Sequence, residues 1–545
     1  MNRSRLLFVL LFVLCLLFLA ACGGSSSPAT GTVQIRLTDA PATESGIDNV
    51  WITVRGVLFH RLDTAEPEDA DWIGKRFADN ETVTLNLARL SGGAMQTVFD
   101  NVSLPTGRYR QILLFVEPTR GRDNVAASAR ALGLHFNNQV DTATGQAPLR
   151  IPDALRGIRL AGTFDVNKSA PLRLAIDFDI GHDIVRIARG TADEYLLKPL
   201  LRIFDLARAG AITGRIDAAA ASDNAAFYVF KAEQPNADNT FRVVRRFTSL
   251  TDNTGRFVFY PIAPGKYDIV LRGRNRKTVI VKGVNVLAGT TPSVGAADLG
   301  MVPMPTGTDF QVNTRVSPSG SWVSFYQYLP AGIDPIAYEV RFRHVNPFTG
   351  AFSDNISLSA TNLRVGNWST SGAAIAFSDV SPVDNTTAPL NGTFFAVADA
   401  LLYDRSTPLQ VTPLDNGNTL SLGTLIPSAP AVASTARGRI MMFAPGMGLD
   451  NGLMLAVRGG LIVDRLDVSG MMGNPGGAYQ FANLPGGTVL SPFNPGVYGL
   501  ETFGWTSATP ATFAVGFRNL TLLPPVANLR FGDRGNIDLW MVLLR

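Results

Sequence analysis

Alternation of apolar and polar residues with a period of two recurs through this chain and constrains its fold more than any other feature. The stretches Val33–Leu37 and Leu172–Ile180 show it plainly, while long helical patterns are scarce. Such alternation is typical of strands with one face in a core and the other in solvent. Turn-forming clusters at 105–107, 252–255 and 415–418 separate the stretches. The pattern predicts an all-β chain of tandem β-sandwich domains.

Composition sets the number and the class of these domains. The chain has 545 residues, which is more than one core usually serves, so several domains are expected. It is 46% hydrophobic and 17% charged, with 52 Gly and 33 Pro, as suits an exported β protein. The 48 basic side chains nearly balance the 44 acidic ones. Nucleic acid is therefore excluded as a partner, since it requires a concentrated basic surface.

A weak internal repeat divides the chain. A proline, a glycine and then a tyrosine open an apolar strand at Leu104–Tyr109, Ala263–Tyr267 and Asn494–Tyr498. Proline and glycine form the turn, and we expect the tyrosine to bury its ring while its hydroxyl reaches a backbone partner. Short apolar runs ending near residues 302, 425 and 542 are predicted last strands. The domain limits that follow are 31–208, 211–303, 307–427 and 435–545.

The N-terminal residues resemble a bacterial lipoprotein signal. A basic start is followed by an apolar stretch from Leu6 to Leu19 and then by Ala20-Ala21-Cys22. The stretch is shorter than the roughly 20 residues of a membrane-spanning helix. The resemblance implies a signal peptide at 1–21, acylation of Cys22, and a flexible tether at 22–30. Because Cys15 would leave with the signal, the mature chain would contain no disulfide.

Two further resemblances concern the domains. Residues 31–208 resemble an uncharacterised family of bacterial surface lipoproteins, through the segments Leu37–Pro41, Val54–Val57 and Ile176–Asp179. Residues 211–303 resemble the carboxypeptidase regulatory-like family, a transthyretin-like sandwich of seven strands, through Thr251–Phe259 and Ile262–Tyr267. Residues 435–545 repeat that pattern in diverged form, and residues 307–427 match no family.

Acidic residues at the end of one predicted strand form the best candidate site, namely Asp177, Asp179, His182 and Asp183. Residues two apart on a strand share a face and lie about 7 Å apart. Carboxylates at that spacing suit a metal site, with Ca²⁺ or a transition metal as the ion. A hydrolase using Asp177, Asp179 and His182 is the catalytic alternative. The favoured interpretation is a solvated outer face with no ligand.

Other polar and aromatic positions carry weaker hypotheses. Asp39 is expected to cap a turn. Arg272, Arg274, Arg276 and Lys277 form either a solvated hairpin or a basic patch for anionic lipid. The tryptophans 368, 505 and 540 are candidates for sugar stacking or for the core. The chain contains no Gly-x-Ser-x-Gly elbow and no His-Glu-x-x-His motif, so those hydrolase classes lack support.

These observations predict a protein of the bacterial cell envelope with a non-catalytic binding, adhesion or scaffolding role. By resemblance to Gram-negative lipoproteins, Gly23 after the cysteine implies the outer membrane, with membrane lipid as the first partner. Glycans or other envelope proteins are the expected ligands, and no cofactor other than Ca²⁺ is proposed.

Overall fold

The fold was analysed in a computed structural model. It describes residues 29–39, 47–65, 67, 69–78, 81–119, 125–151, 154, 156–189, 192–197, 201–223, 227–235, 242–307, 309–317, 322–330, 336–346, 349–357, 363–383, 394–399, 406, 408–411, 420–426, 433–442, 449–458, 461–471, 477–485, 497–505, 513–517, 526–528 and 537–543. Strands make up most of this part of the chain, so the prediction of an all-β fold is confirmed.

The first module contains two sheets around one core. Its strands are β1 (Thr30–Asp39), β2 (Ile47–His60), β3 (Ile73–Arg76), β4 (Val83–Asn86), β5 (Gln96–Pro105), β6 (Gly107–Val116), β7 (Gln139–Thr142), β8 (Gly145–Arg150), β9 (Ile158–Val166), β10 (Leu172–Phe178), β11 (Ile184–Arg189), β12 (Ala192–Leu197) and β13 (Arg202–Asp205). Its short helices are α1 (Ala127–Ala131) and α2 (Ile180–Asp183), with a 3₁₀ turn at Leu87–Arg89. One sheet has the order β13-β10-β1-β5, and the other runs β11-β12-β8-β7-β2-β6-β9 with β3 and β4 also on β2.

The second module is a sandwich with seven strands of its own. These are β14 (Gly210–Ile216), β15 (Tyr228–Pro235), β16 (Arg242–Thr248), β17 (Arg256–Ile262), β18 (Gly265–Gly273), β19 (Val279–Val286) and β20 (Ala297–Val302), with the short helix α3 (Ala218–Ala221) after β14. They form sheets with the orders β17-β14-β20 and β16-β15-β18-β19. The strand number agrees with the transthyretin-like prediction, although the family assignment itself stays a prediction.

The third module repeats that strand order. Its strands are β21 (Asp309–Val316), β22 (Trp322–Leu329), β23 (Ile336–His344), β24 (Ala351–Ser357), β27 (Phe394–Asp399), β28 (Leu409–Val411) and β29 (Leu420–Leu425). They form sheets β24-β21-β29 and β23-β22-β27-β28, which match those of the second module position by position. Sequence had given this segment no relative, so the repeat emerges only from the topology.

A hairpin is inserted between β24 and β27 and belongs to a different sheet. Its strands are β25 (Leu363–Asn367) and β26 (Phe377–Val380), and we call residues 363–380 the arm. Strand β25 pairs in parallel with β19, so the arm extends the four-stranded sheet of the second module to six strands. The sequence placed these residues in the segment 307–427, whereas their hydrogen bonds join them to the preceding module.

The fourth module has the same core topology in a more closed form. Its strands are β30 (Ala433–Met442), β31 (Asn451–Arg458), β32 (Leu461–Asp467), β33 (Gly477–Pro485), β34 (Val497–Trp505), β35 (Phe513–Phe517), β36 (Val526–Asn528) and β37 (Leu539–Leu543), with a 3₁₀ turn at Ser469–Met471. They form one continuous sheet, β32-β31-β34-β35-β37-β30-β33, with β36 on β34.

The repeated turn behaves as its residue types predict. Gly107 and Gly265 have φ of 139° and 146°, where a side chain would be strained. The rings of Tyr109 and Tyr267 are buried. Their hydroxyls donate to the carbonyls of Pro105 and Ala263 at 2.9 and 2.7 Å, respectively. The prediction of a backbone partner for these tyrosines is thus confirmed.

No helix within the described ranges has both the length and the apolar character needed to cross a membrane.

Candidate functional site

Asp177 lies on the face of β10 that points away from the core of its own module. Leu174, Ile176 and Phe178 point into that core, and Asp177 alternates with them, as the sequence pattern requires. The expected solvated face is nevertheless wrong. Asp177 and Asp179 are 1% and 2% exposed, and Asp183 is fully buried. The second module covers this face of the sheet.

The covering residue is Arg246, which projects from β16 of the second module. Its Nη1 atom forms an ion pair with Oδ1 of Asp177. The Nη1 atom of Arg202, the neighbour of Asp177 across the strand pair β10–β13, lies 3.8 Å from Oδ2. Arg246 also donates from Nη2 to the carbonyl of Tyr260 at 3.2 Å. Burial lowers the pKa of Arg246 to about 9, and the carboxyl of Asp39 opposes that shift. Arg246 therefore remains charged at neutral pH.

Asp39, the last residue of β1, completes the cluster. Its Oδ1 accepts a hydrogen bond from the backbone N–H of Ile180 at 3.0 Å, so it caps the start of α2 from 141 residues away. Asp179, the residue that precedes this helix, makes no such bond with its side chain. A capping role for Asp39 was expected, although at a local turn. Burial raises the pKa of Asp39 well above its usual range, and the charges of Asp179 and Asp183 add to this effect.

The predicted metal site at Asp177, Asp179, His182 and Asp183 gains no support from this geometry. Across the described residues, no group of three or more His, Cys, Asp or Glu side chains is placed to hold a metal ion. The guanidinium groups of Arg246 and Arg202 are within reach of the Asp177 carboxylate. The backbone of His182 lies in α2, but its side chain is outside the described residues. Metal binding here stays a prediction.

A second buried ion pair joins the second and third modules. Nζ of Lys231 on β15 lies 2.8 Å from Oε1 of Glu339 on β23. Ser324 donates from its hydroxyl to the other oxygen of Glu339, also at 2.8 Å. Burial lowers the pKa of Lys231, and the charges of Glu339 and Glu233 oppose the shift. Each oxygen of the Glu339 carboxylate therefore has a hydrogen-bond donor.

Phe247 connects the two junctions. The guanidinium carbon of Arg202 and the Nζ atom of Lys231 each lie 5.7 Å from the centre of its ring. Its ring centre is 6.4 Å from that of Phe342 in the third module. Side chains of three modules thus meet around one aromatic ring.

The residues on the partner side of these junctions were missed in the sequence. Lys231 and Glu339 interrupt apolar runs, Tyr228–Ala232 and Ile336–Val340, at positions with buried neighbours. A charged residue in such a run is costly unless it is paired, so the two runs held a usable signal. Arg246 sits in a strand with several basic residues and offered no comparable signal.

Other sequence hypotheses have mixed outcomes. Arg272 is buried, and Arg276 pairs with Asp223 at 2.7 Å, so these two residues do not form an open basic patch. Trp368 packs on the core of the second module and donates from Nε1 to the carbonyl of Asp298 at 2.8 Å. Cys22 and the side chains of Trp505 and Trp540 lie outside the described residues.

The chemistry available to the acidic cluster follows from these contacts. The Asp177 carboxylate is engaged by the guanidinium groups of Arg246 and Arg202 and is covered by the second module. Its place beneath a second module also differs from the open cleft in which carboxylates flank a substrate. The arrangement is suited to joining modules.

The match to a known protein family reaches only part of the chain. Residues 30–199 match the family described as a domain of unknown function, DUF4382. No curated protein matches the chain. Among solved structures, the chain is 9% identical to the Bacillus anthracis TIE protein, covering 96% of this chain and 76% of that one at a TM-score of 0.15. A Streptococcal ancillary pilin is also 9% identical, with 60% and 98% covered and a TM-score of 0.14. Structural similarities at this level are too weak to bear on what this chain does.

Proposed function

We propose that this chain is a non-catalytic scaffold or adhesion protein of the bacterial envelope, anchored to the outer membrane through acylated Cys22. The observation that carries the proposal is the ion pair between Asp177 and Arg246. Asp177, which the sequence offered as a candidate metal ligand or catalytic residue, serves to join two modules. Together with the Lys231–Glu339 pair, this ion pair makes the first three modules one stiff unit.

A stiff unit suits a protein that presents a surface at a distance from its anchor. Buried ion pairs between modules resist separation, since breaking one leaves a charge without its partner in a dry environment. The proposal of a lipid anchor rests on the sequence Leu19-Ala20-Ala21-Cys22. Acyl chains on that cysteine would hold the protein firmly, at about 0.8 kcal/mol for each buried CH₂ group. Glycans and other envelope proteins are the candidate ligands.

Metabolic labelling tests the anchor. Cells that express the chain are grown with an alkyne-bearing fatty acid, and the purified protein is examined for label. We expect label in the original chain and in Cys15→Ser, and none in Cys22→Ser. An unlabelled chain recovered from the cytoplasm with residues 1–21 still attached would overturn the anchoring proposal.

Small-angle scattering tests the stiff scaffold independently of the anchor. In the Cys22→Ser chain the first three modules should scatter as one body of fixed shape. In the same background, Arg246→Ala should broaden the distribution of dimensions, while Arg202→Ala, at the partly exposed edge of the cluster, should leave it unchanged. Broad, bead-like scattering from the unaltered modules would contradict the proposal.

A further inference from the structure

The arm has an unusual relation to the module that contains it. The third module matches the second in strand order without using β25 or β26, and its core cluster contains no arm residue. The second module likewise forms its own four-stranded sheet, which ends at β19, without the two strands of the arm. The arm is therefore an addition that neither sandwich needs to close its own core.

The arm is seated through both of its faces. Leu363 and Val365 point toward Val270 and Ile280 on the outer surface of the second module, where Tyr338 of the third module also packs. On the opposite face, Trp368, Ile375 and Phe377 pack against the core of the second module. The side-chain bond from Trp368 to Asp298 reaches β20 in the other sheet, so the arm covers the open edge of the sandwich.

The backbone attachment of the arm is short. Four residue pairs, from Val279↔Arg364 to Lys282↔Asn367, form the parallel ladder with β19. Parallel pairing is slightly weaker per residue than antiparallel pairing. Apart from Leu363, the apolar arm residues in these clusters are only partly buried. The arm can therefore detach at a small cost compared with unfolding either module.

Detachment would expose β19 as an edge strand with Val279, Ile280 and Val281. An exposed apolar edge is a template for another strand, and the strand that fits this one is the arm itself. Another arm with the same sequence and register can come from a second copy of the chain. An exchanged arm would make the same contacts with β19 of a second copy as it makes with β19 of its own chain. Exchange should therefore change the free energy little.

We propose that β19 is a strand-acceptor edge and that the arm exchanges between copies of this chain, linking them side by side. The partner is thus a second copy of the same protein, and the recognition elements are the ladder with β19 and the Trp368 contact. This inference goes beyond the proposed scaffold role and does not depend on the lipid anchor.

Mixed single-cysteine chains test the exchange. Cys15 and Cys22 are first changed to serine, which leaves a chain without thiols. One chain then receives Lys282→Cys and the other Asn367→Cys, positions that face each other across the ladder. Directly paired strand residues lie within the roughly 4.4–6.8 Å between Cα atoms that a disulfide requires. The two chains are mixed at high concentration, incubated and oxidised.

The matched control uses Lys266→Cys and Asn285→Cys, which are exposed partners on the neighbouring strands β18 and β19 and lie outside the arm. We expect severalfold more disulfide-linked heterodimer from the arm pair than from the control pair. A single chain carrying both Lys282→Cys and Asn367→Cys should link within itself when dilute. Equal yields from the two mixtures, or no heterodimer from the arm pair while the double variant links internally, would overturn the proposal. So would failure of the double variant to link.

Discussion

The junction between the first and second modules and the junction between the second and third both contain a buried ion pair, yet they differ in the contacts that surround it. At the first, Asp177 pairs with the guanidinium groups of Arg246 and Arg202, and the carboxyl groups of Asp39, Asp179 and Asp183 lie close by. The second contains the Lys231–Glu339 pair, whose carboxylate also accepts a hydrogen bond from Ser324, and the charges of Glu233 and Arg341 act on Lys231. The second junction adds an apolar cluster and a bond from Tyr338 to Asp268 at 2.8 Å.

The difference teaches that the first junction is centred on the ion pair between Asp177 and Arg246, whereas the second combines its ion pair with an apolar cluster and a tyrosine–aspartate hydrogen bond. At the first junction burial raises the pKa of Asp39, and the charges of Asp179 and Asp183 add to that shift. At the second junction, removal of one contact leaves the others in place.

Loss of the Arg246 guanidinium should have the largest effect on the free energy of unfolding. Arg246→Ala leaves Asp177 buried beside the other acids, and removal of one partner of a buried pair typically costs about 3–5 kcal/mol. The free energy of unfolding from a denaturant titration measures this. Arg202→Ala is the matched control, since its side chain is a quarter exposed, and it should cost about 1 kcal/mol or less. Equal losses for the two variants would show that Arg246 does not dominate the junction.

Breaking the ion pair of the second junction should cost less. Lys231→Met keeps the length of the side chain and leaves Glu339 with its bond to Ser324, so we expect a loss of about 2–3 kcal/mol. The double variant Lys231→Met, Glu339→Gln should recover part of that loss, because the side chain at position 339 then carries no charge that needs the ammonium group. A double-mutant cycle measures the coupling. Strictly additive losses would argue that the two side chains do not interact.

The hydrogen bond from Tyr338 should have a smaller effect still. Tyr338→Phe keeps the ring in the apolar cluster, while Asp268 retains its bond from the backbone N–H of Gly283 at 2.7 Å. A loss of about 1 kcal/mol in unfolding free energy is expected. A loss as large as that of Arg246→Ala would erase the contrast between the junctions.

The free energy of unfolding should also depend on pH through the carboxyl group of Asp39. The pKa of Asp39 is higher in the folded chain than its ordinary value of 3.8, so the folded state binds this proton more tightly. Its contribution to stability is therefore full at low pH and is lost as pH rises from about 3.8 through the raised folded pKa. Asp39→Asn keeps an oxygen acceptor for Ile180 and cannot ionise.

Unfolding free energies of the original chain and of Asp39→Asn, measured from pH 4 to pH 8, isolate this contribution. Relative to the variant, the original chain should lose stability as pH rises. Parallel curves would mean that the Asp39 carboxyl titrates no differently in the folded and unfolded states.

Much of the local structure was predictable because it depends on neighbours in sequence. The alternation around Leu174, Ile176 and Phe178 correctly gave the face of β10 on which Asp177 lies. The turns before Tyr109 and Tyr267 followed from a glycine, a proline and a ring that must be buried. Each of these inferences needs only the period of a strand and the preferences of a few residue types.

The burial of Asp177 could not be predicted in this way. Its partner Arg246 is 69 positions later, in another module, and period-two alternation does not say what covers an outer face. The arm shows the same limit, since a hairpin inserted in one repeat completes the sheet of another. The strand order that the third module shares with the second could not be predicted either. Strand order is defined by backbone hydrogen bonds, and many different sets of side chains are compatible with it.

The sequence by itself determined that this chain forms strands, where its repeated turns lie, and which face of each strand is polar, because these depend on short-range periodicity. Only the tertiary structure decided which polar faces are covered, which charges meet, and which sheet accepts the arm. Those outcomes depend on contacts between residues far apart in the chain, which no local pattern encodes.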